Sequence, residues 1–156
     1  MIKLQIPGRK TIRIEYLVVD YNGTMAASGE PLPGCLERLR RLAERVEVHV
    51  VTADTFGRAA SRVNEPAFKL EILPAKRQDE AKASYVRDLG LRTTAAIGNG
   101  ANDARMLKEV VLGLAVVQAE GAAAAAIQNA DAVFTHINDA LDALLDPERL
   151  VATLRT

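Results

Sequence analysis

Four short stretches of this chain carry residue types that act together in phosphate chemistry. They are Asp20-Tyr-Asn-Gly-Thr24, Thr52-Ala-Asp54, Lys82, and Gly98-Asn-Gly-Ala-Asn-Asp103. A carboxylate can attack phosphorus, a hydroxyl and an ammonium can hold and neutralise phosphoryl oxygens, and a second carboxylate can help hold a hard divalent cation. Taken singly, each has an ordinary reading: Asp20 as a turn residue, Thr52 as a cap, Lys82 as part of a solvated helix face. Lys76 and Arg77 compete with Lys82 for the phosphate-neutralising role.

For these residues to meet, the elements between them must bring them to one rim. Tyr16-Leu-Val-Val-Asp20 is a short apolar run ending in a carboxylate and reads as a buried parallel strand. Strands are expected again over residues 46–52, 68–73, 93–97, 112–117 and 132–135. Helices are expected over 34–45, from a cap at Asp54 to about Asn64, over 77–89 up to Gly90, and over 102–110. The five alanines of 122–126 fall in a helix over 121–130, and a last helix runs from about Asn138 towards Arg155 with a break at Pro147. Alternating strands and helices imply an α/β fold, a parallel central sheet covered by helices on both faces, with ligands bound beyond the carboxyl ends of the strands. Ahead of this core, alternating apolar residues on either side of Pro7-Gly8-Arg9-Lys10 read as a β-hairpin over residues 1–15. The expected organisation is one domain, 1–156, with the core over 16–156.

The chain has 20 Lys plus Arg and 20 Asp plus Glu, a formal net charge of zero. That balance lacks the footprint of a nucleic-acid partner. Cys35 is the sole cysteine and His49 and His136 are the only histidines, so no soft-metal cluster or intrachain disulfide is expected. No apolar run is long enough for a membrane span, and a cytoplasmic location is expected.

The four stretches together resemble the haloacid dehalogenase (HAD) superfamily, and most of all the soluble P-type ATPases and the phosphorylation domain of P-type ATPases. Asp20 to Thr24 is similar to the superfamily's first motif, the strand ending in Thr52 to the second, Lys82 with Val86 and Leu89 to the third, and Gly98 to Leu107 to the fourth. The resemblance, spanning about Tyr16 to Leu144, implies a capless Rossmann-like (Rossmannoid) three-layer sandwich and a hydrolase or phosphatase activity. It also implies Asp20 as the nucleophile of an aspartyl phosphate, with Thr52 and Lys82 binding the phosphoryl group along with the backbone of Tyr21, Asn22 and Gly23. Mg²⁺ would be held by Asp20, the Asn22 carbonyl and Asp103, with Asn99 at the family's remaining metal-directed position. The implied substrate is a phosphorylated small molecule or a phosphoprotein, and a homo-oligomer can complete such a site.

Two residues depart from the pattern. Asn22 stands where most of these phosphatases have an acid–base Asp, and Asn99 stands where the fourth motif has an Asp. A carboxamide cannot shuttle a proton, so turnover is expected to be slow. The alternative is a catalytically weak phosphate-binding or regulatory protein on the same scaffold. The intervals between Asp20, Thr52 and Lys82 leave no room for a cap or a nucleotide-binding domain. A dinucleotide site is disfavoured because the third glycine of that fingerprint would fall at Asp103. The N-terminal hairpin has two open readings, a contact for another subunit or a strand pair tucked against its own core.

Overall fold

The computed structural model describes residues 1–54 and 57–156. Its axis is β3 (Tyr16–Asp20), whose last four residues are buried because neighbours flank it on both edges and helices cover both faces. β3 pairs in parallel with β6 (Glu47–Thr52) and with β8 (Thr94–Gly98). Adding β7 (Phe68–Ile72), β9 (Leu112–Val116) and β10 (Ala132–Phe134) gives a six-stranded parallel sheet of order β10-β9-β8-β3-β6-β7. The chain builds outward from β3 in one direction, then returns to its other side, so the strand order reverses between β3 and β8. A crevice opens at such a reversal, beyond the carboxyl ends of the strands. In register, Asp20 lies opposite Val51 and Val19 opposite Ile97, which sets Thr52 and Asn99 one residue beyond the level of Asp20 on its two sides.

The helices are α1 (Cys35–Ala43), α2 (Arg58–Val63), α3 (Gln78–Leu89), α4 (Ala104–Glu109), α5 (Ala124–Asn129), α6 (Ile137–Leu145) and α7 (Glu148–Leu154). Alternate strand residues feed opposite layers. Leu17, Val19, Val50 and Ile97 pack with Leu39, Leu42 and Leu141 on one face, whereas Val18, Val51 and Ala96 pack with Val86, Met106 and Leu107 on the other. The break at Pro147 separates α6 from α7. The last helix of the alanine-rich region starts at Ala124 and buries Ala126. Among the described residues no helix is long and apolar enough to cross a membrane.

β1 (Ile2–Leu4) and β2 (Ile12–Ile14) form the expected antiparallel pair. Ile2, Leu4, Ile6 and Ile14 are buried in the chain's own first core, so the apolar side of the hairpin is tucked against the domain. One pair was not expected: β4 (Ala26–Ala27) with β5 (Glu30–Pro31), closed by Ser28 and Gly29, both at positive φ. Strands of two residues carry no alternation to read. The helix expected from Asp54 begins at Arg58; the portion on residues 55 and 56 lies outside the described residues. Asp54 still anchors it, because its carboxylate accepts from Ala59 N at 2.8 Å and Ala60 N at 3.1 Å.

α4 lies so close over β9 that a methyl group in place of the Gly113 hydrogen would sit 2.2 Å from the Leu107 carbonyl oxygen. The obstacle is backbone, which cannot swing aside. Gly113→Ala is therefore expected to destabilise the protein by about 1–3 kcal/mol, read as a lowered urea midpoint.

Candidate active site

Asp20 ends β3 with 5% of its surface exposed, at the floor of a cavity of about 600 Å³. Its Oδ1 accepts from Lys82 Nζ at 2.7 Å, and its Oδ2 from Thr24 Oγ1 at 2.9 Å. Lys82 reaches this point because α3 buries the side that carries Ala83 and Val86 and turns Lys82 inward with them, leaving it 2% exposed. The same ammonium donates to Asp103 Oδ1, also at 2.7 Å. Lys76 and Arg77, the competing cations, are both exposed.

Asp103 is the second carboxylate on the Lys82 ammonium. It has no exposed surface, and its Oδ2 accepts from Asn99 N at 3.0 Å and Gly100 N at 2.9 Å while its Oδ1 is held by Lys82. With three donors on its two oxygens, it braces the loop after β8 and fixes Lys82. Asn99 is the polar group turned towards Asp20: Thr24 Oγ1 also lies 3.2 Å from Asn99 Oδ1, and Asn99 Nδ2 donates to Gly121 O at 3.1 Å, which fixes the carboxamide's orientation.

The loop after β3 also narrows an expectation. Tyr21 N donates to Val51 O and Gly23 N to Ala26 O, so neither amide is directed at a phosphate. The Tyr21 ring is buried, with its hydroxyl on Gly29 O at 2.7 Å. Of the three loop amides, only that of Asn22 donates to no backbone carbonyl among the described residues. Asn22 itself is exposed at the cavity, its Nδ2 3.5 Å from Thr52 Oγ1, and Thr52 Oγ1 accepts from Asp54 N at 3.1 Å.

Three residues given no role from the sequence contribute here. Thr24 links Asp20 to Asn99. Gln118 Nε2 donates to Gly23 O at 3.2 Å and Thr24 O at 2.7 Å, and its Oε1 accepts from Ile137 N at 2.7 Å, so it pins the loop after β3 to the start of α6. Glu120 lines the cavity. Gln118 and Glu120 follow β9, and inspecting the end of that strand as well would have found them.

Two carboxylates share one ammonium in a buried space. Burial, then repulsion from Asp103, pushes the Asp20 carboxyl up to about 7 against the pull of Lys82 and Thr24. Burial opposes the charge on Lys82, but Asp20 and Asp103 outweigh it and hold the ammonium above its ordinary value. The triad sets two carboxylates around one ammonium, one negative charge in excess when all three groups are ionised. The donor chemistry facing the cavity suits a hard cation, with Asp20 Oδ2 and Asn99 Oδ1 both within reach of Thr24 Oγ1. Among the described residues no group of three acidic, His or Cys side chains forms a metal cluster, so such a cation would depend on substrate oxygens as well.

Two outcomes follow for metal-free protein. From the unfolded value of 3.8 up to about 7, the folded state keeps a proton on Asp20 that the unfolded state has released. Stability from this group therefore falls as pH rises through that window, and Asp20→Asn should flatten the fall in melting temperature. Lys82→Met leaves two buried carboxylates without a cation and should cost about 3–5 kcal/mol in urea unfolding at neutral pH.

The family model for haloacid dehalogenase-like hydrolases matches residues 54–146. An uncharacterised protein of Methanocaldococcus jannaschii is 39% identical over 92 residues, spanning 59% of this chain and 89% of that protein. Among solved structures, the 3-deoxy-D-manno-octulosonate 8-phosphate phosphatase of Moraxella catarrhalis, in complex with magnesium, phosphate and KDO, superposes with a TM-score of 0.63 at 15% identity, covering 91% of this chain and 94% of that one. The cobalt-bound phosphatase of the same description from Haemophilus influenzae gives 0.65 at 14% identity, covering 92% and 94%. These structural likenesses establish the fold, and the family model, matching more than half of the sequence, establishes the family: the chain belongs to the haloacid dehalogenase-like hydrolases.

Proposed function

We propose that the protein is a Mg²⁺-dependent phosphohydrolase that works through an aspartyl phosphate on Asp20. The observation that carries this reading is the buried Lys82 ammonium, 2.7 Å from both Asp20 and Asp103, at the crevice where the strand order reverses. An Asp20 oxygen attacks the phosphorus, forming an O–P bond as the bond to the leaving oxygen breaks. Lys82 offsets the charge of the nucleophile and of the incoming phosphoryl group. Thr52 Oγ1 and the Asn22 N–H donate to the phosphoryl oxygens. Mg²⁺, when bound, supplies further charge neutralisation on those oxygens; Asp20 Oδ2, Asn99 Oδ1 and the Asn22 carbonyl are the oxygens that suit it.

Asn22 limits both halves of the cycle. Its amide can donate a hydrogen bond but cannot give the leaving oxygen a proton, and it cannot take one from the water that splits the aspartyl phosphate. The reaction therefore favours leaving groups that need no protonation, such as aryl or acyl phosphates, and the phosphoenzyme lives long. The two structural neighbours are phosphatases of a sugar-acid phosphate, which supports a phosphorylated small molecule as substrate. The soluble P-type ATPase-like reading rests on the motif pattern alone. Asn22 and Asn99 also favour a second reading, a phosphate-binding or regulatory protein with little turnover.

Beryllium fluoride with Mg²⁺ is expected to raise the melting temperature of the native chain and to leave that of Asp20→Ala unchanged. Phenyl phosphate should be hydrolysed about 10²–10⁴-fold faster than a simple alkyl phosphate, and Asn22→Asp should narrow the gap. A thermal shift without turnover of either ester would select the regulatory reading; an equal shift in Asp20→Ala would remove the nucleophile assignment.

A further inference from the structure

The charge that Asn99 does not carry has a counterpart across the cavity. A methyl group in place of the Gly23 hydrogen would lie 2.5 Å from Asn99 Nδ2 and 2.8 Å from Glu120 Oε2, so the two side chains converge on one point beside the loop that follows Asp20. Glu120 is exposed, on the loop after β9, and lines the same cavity as Asp20, Asn22, Thr52 and Asn99. Among the described residues it makes no ion pair or hydrogen bond. The other carboxylate of the lining besides Asp20 is Asp54, and its oxygens are committed to Ala59 N and Ala60 N. Glu120 is thus the uncommitted carboxylate of this cavity.

Positions 99 and 120 depend on each other. The Asn99 carboxamide places its nitrogen on the Gly121 carbonyl and beside Glu120, and its oxygen towards Asp20 and Thr24. An Asp at 99 would turn a charged oxygen onto that carbonyl and bring a second carboxylate against Glu120, both repulsive contacts. An Asn at 99 is therefore the residue that a carboxylate at 120 requires.

We infer that Glu120 is the second carboxylate of the divalent-cation site, supplying from the loop after β9 the charge that Asn99 lacks. The inference rests on reading this cavity as a cation-dependent phosphoryl-transfer site. A hard cation of the Mg²⁺ type is held by one or two carboxylates together with substrate oxygens, and Asp20 with Glu120 meets that count. A carboxylate on an exposed loop also reaches the cation without adding to the excess negative charge buried around Lys82.

The test is Mn²⁺ binding by the full chain, followed by the electron paramagnetic resonance signal of free Mn²⁺ with orthophosphate present. Glu120→Gln is expected to weaken binding by at least about tenfold, since partners that only orient a metal ligand are already worth about 10–100-fold. Its metal-free melting temperature should match that of the native chain. Asn99→Asp alone should gain little affinity, whereas Asn99→Asp combined with Glu120→Gln should return to the native value or better. Unchanged affinity in Glu120→Gln, or an Asn99→Asp gain that is the same with and without Glu120, overturns the proposal, as does the absence of any Mn²⁺ binding by the native chain. Glu120-dependent binding without Asp20-dependent hydrolysis of phenyl phosphate would uphold the cation site and reject the phosphohydrolase reading, so the two fail separately.

Discussion

One buried ammonium shared between two carboxylates organises the crevice. Lys82 comes from a helix, Asp20 from the end of the central strand and Asp103 from the turn ahead of α4, and no two of them are near in sequence. Ion pairs in such a place stabilise a fold weakly, because desolvation consumes most of their attraction. What they fix is geometry: once Lys82 is seated, α3 cannot slide along the sheet without stranding a charge. The surrounding apolar layers, built from alternate residues of β3, β6 and β8, keep water away from the triad and so give each contact its strength.

The central elements were legible because each has a local cause. Buried parallel strands are continuous apolar runs, and the residues that terminate them, Asp20 and Thr52, were picked out by the rule that ligands lie beyond strand ends. Lys82 is singled out by its spacing to Val86 and Leu89, which resembles the family's third motif; taken alone it reads as part of a solvated helix face. Other features have no local signature. Whether Asp103 faces a cation or the backbone depends on where the Asn99 and Gly100 amides point, and that is decided by the path of the loop. The β4–β5 ribbon depends on two successive positive-φ residues, one of them Ser28, which has no evident turn preference of that kind. Gln118 acts across a long stretch of sequence, and its partners, the carbonyls of Gly23 and Thr24 and the amide of Ile137, are defined only by the packing of β9 against β8.

The loop after β3 is held from several directions. Val51 takes the Tyr21 amide, Ala26 takes the Gly23 amide, Gln118 binds the carbonyls of Gly23 and Thr24, and Thr24 ties the loop to Asn99. A nucleophile on such a loop needs little rearrangement before reaction, which is the structural form of preorganisation. The one group of the loop left turned to the cavity is Asn22, so chemical variation at this position changes the reaction without loosening the frame.

The hydrogen bonding of the two Asn-Gly pairs has a consequence for how the protein ages. Conversion of Asn to Asp begins when the amide nitrogen of the following glycine attacks the side-chain carbonyl, and Asn-Gly is the pair in which this cyclisation is least hindered. Here the Gly23 nitrogen is held on Ala26 O at 2.8 Å and the Gly100 nitrogen on Asp103 Oδ2 at 2.9 Å, so both attacking groups are tethered away from that path while the fold is intact. The carboxamide of Asn99 is held as well, by Gly121 and Thr24, whereas that of Asn22 stands at the surface. Chemical drift towards carboxylate is thus slowed at both positions by the native backbone and is least guarded at Asn22. Molecules that have passed through an unfolded state carry neither tether, so a protein's history would be written in the charge at these two positions.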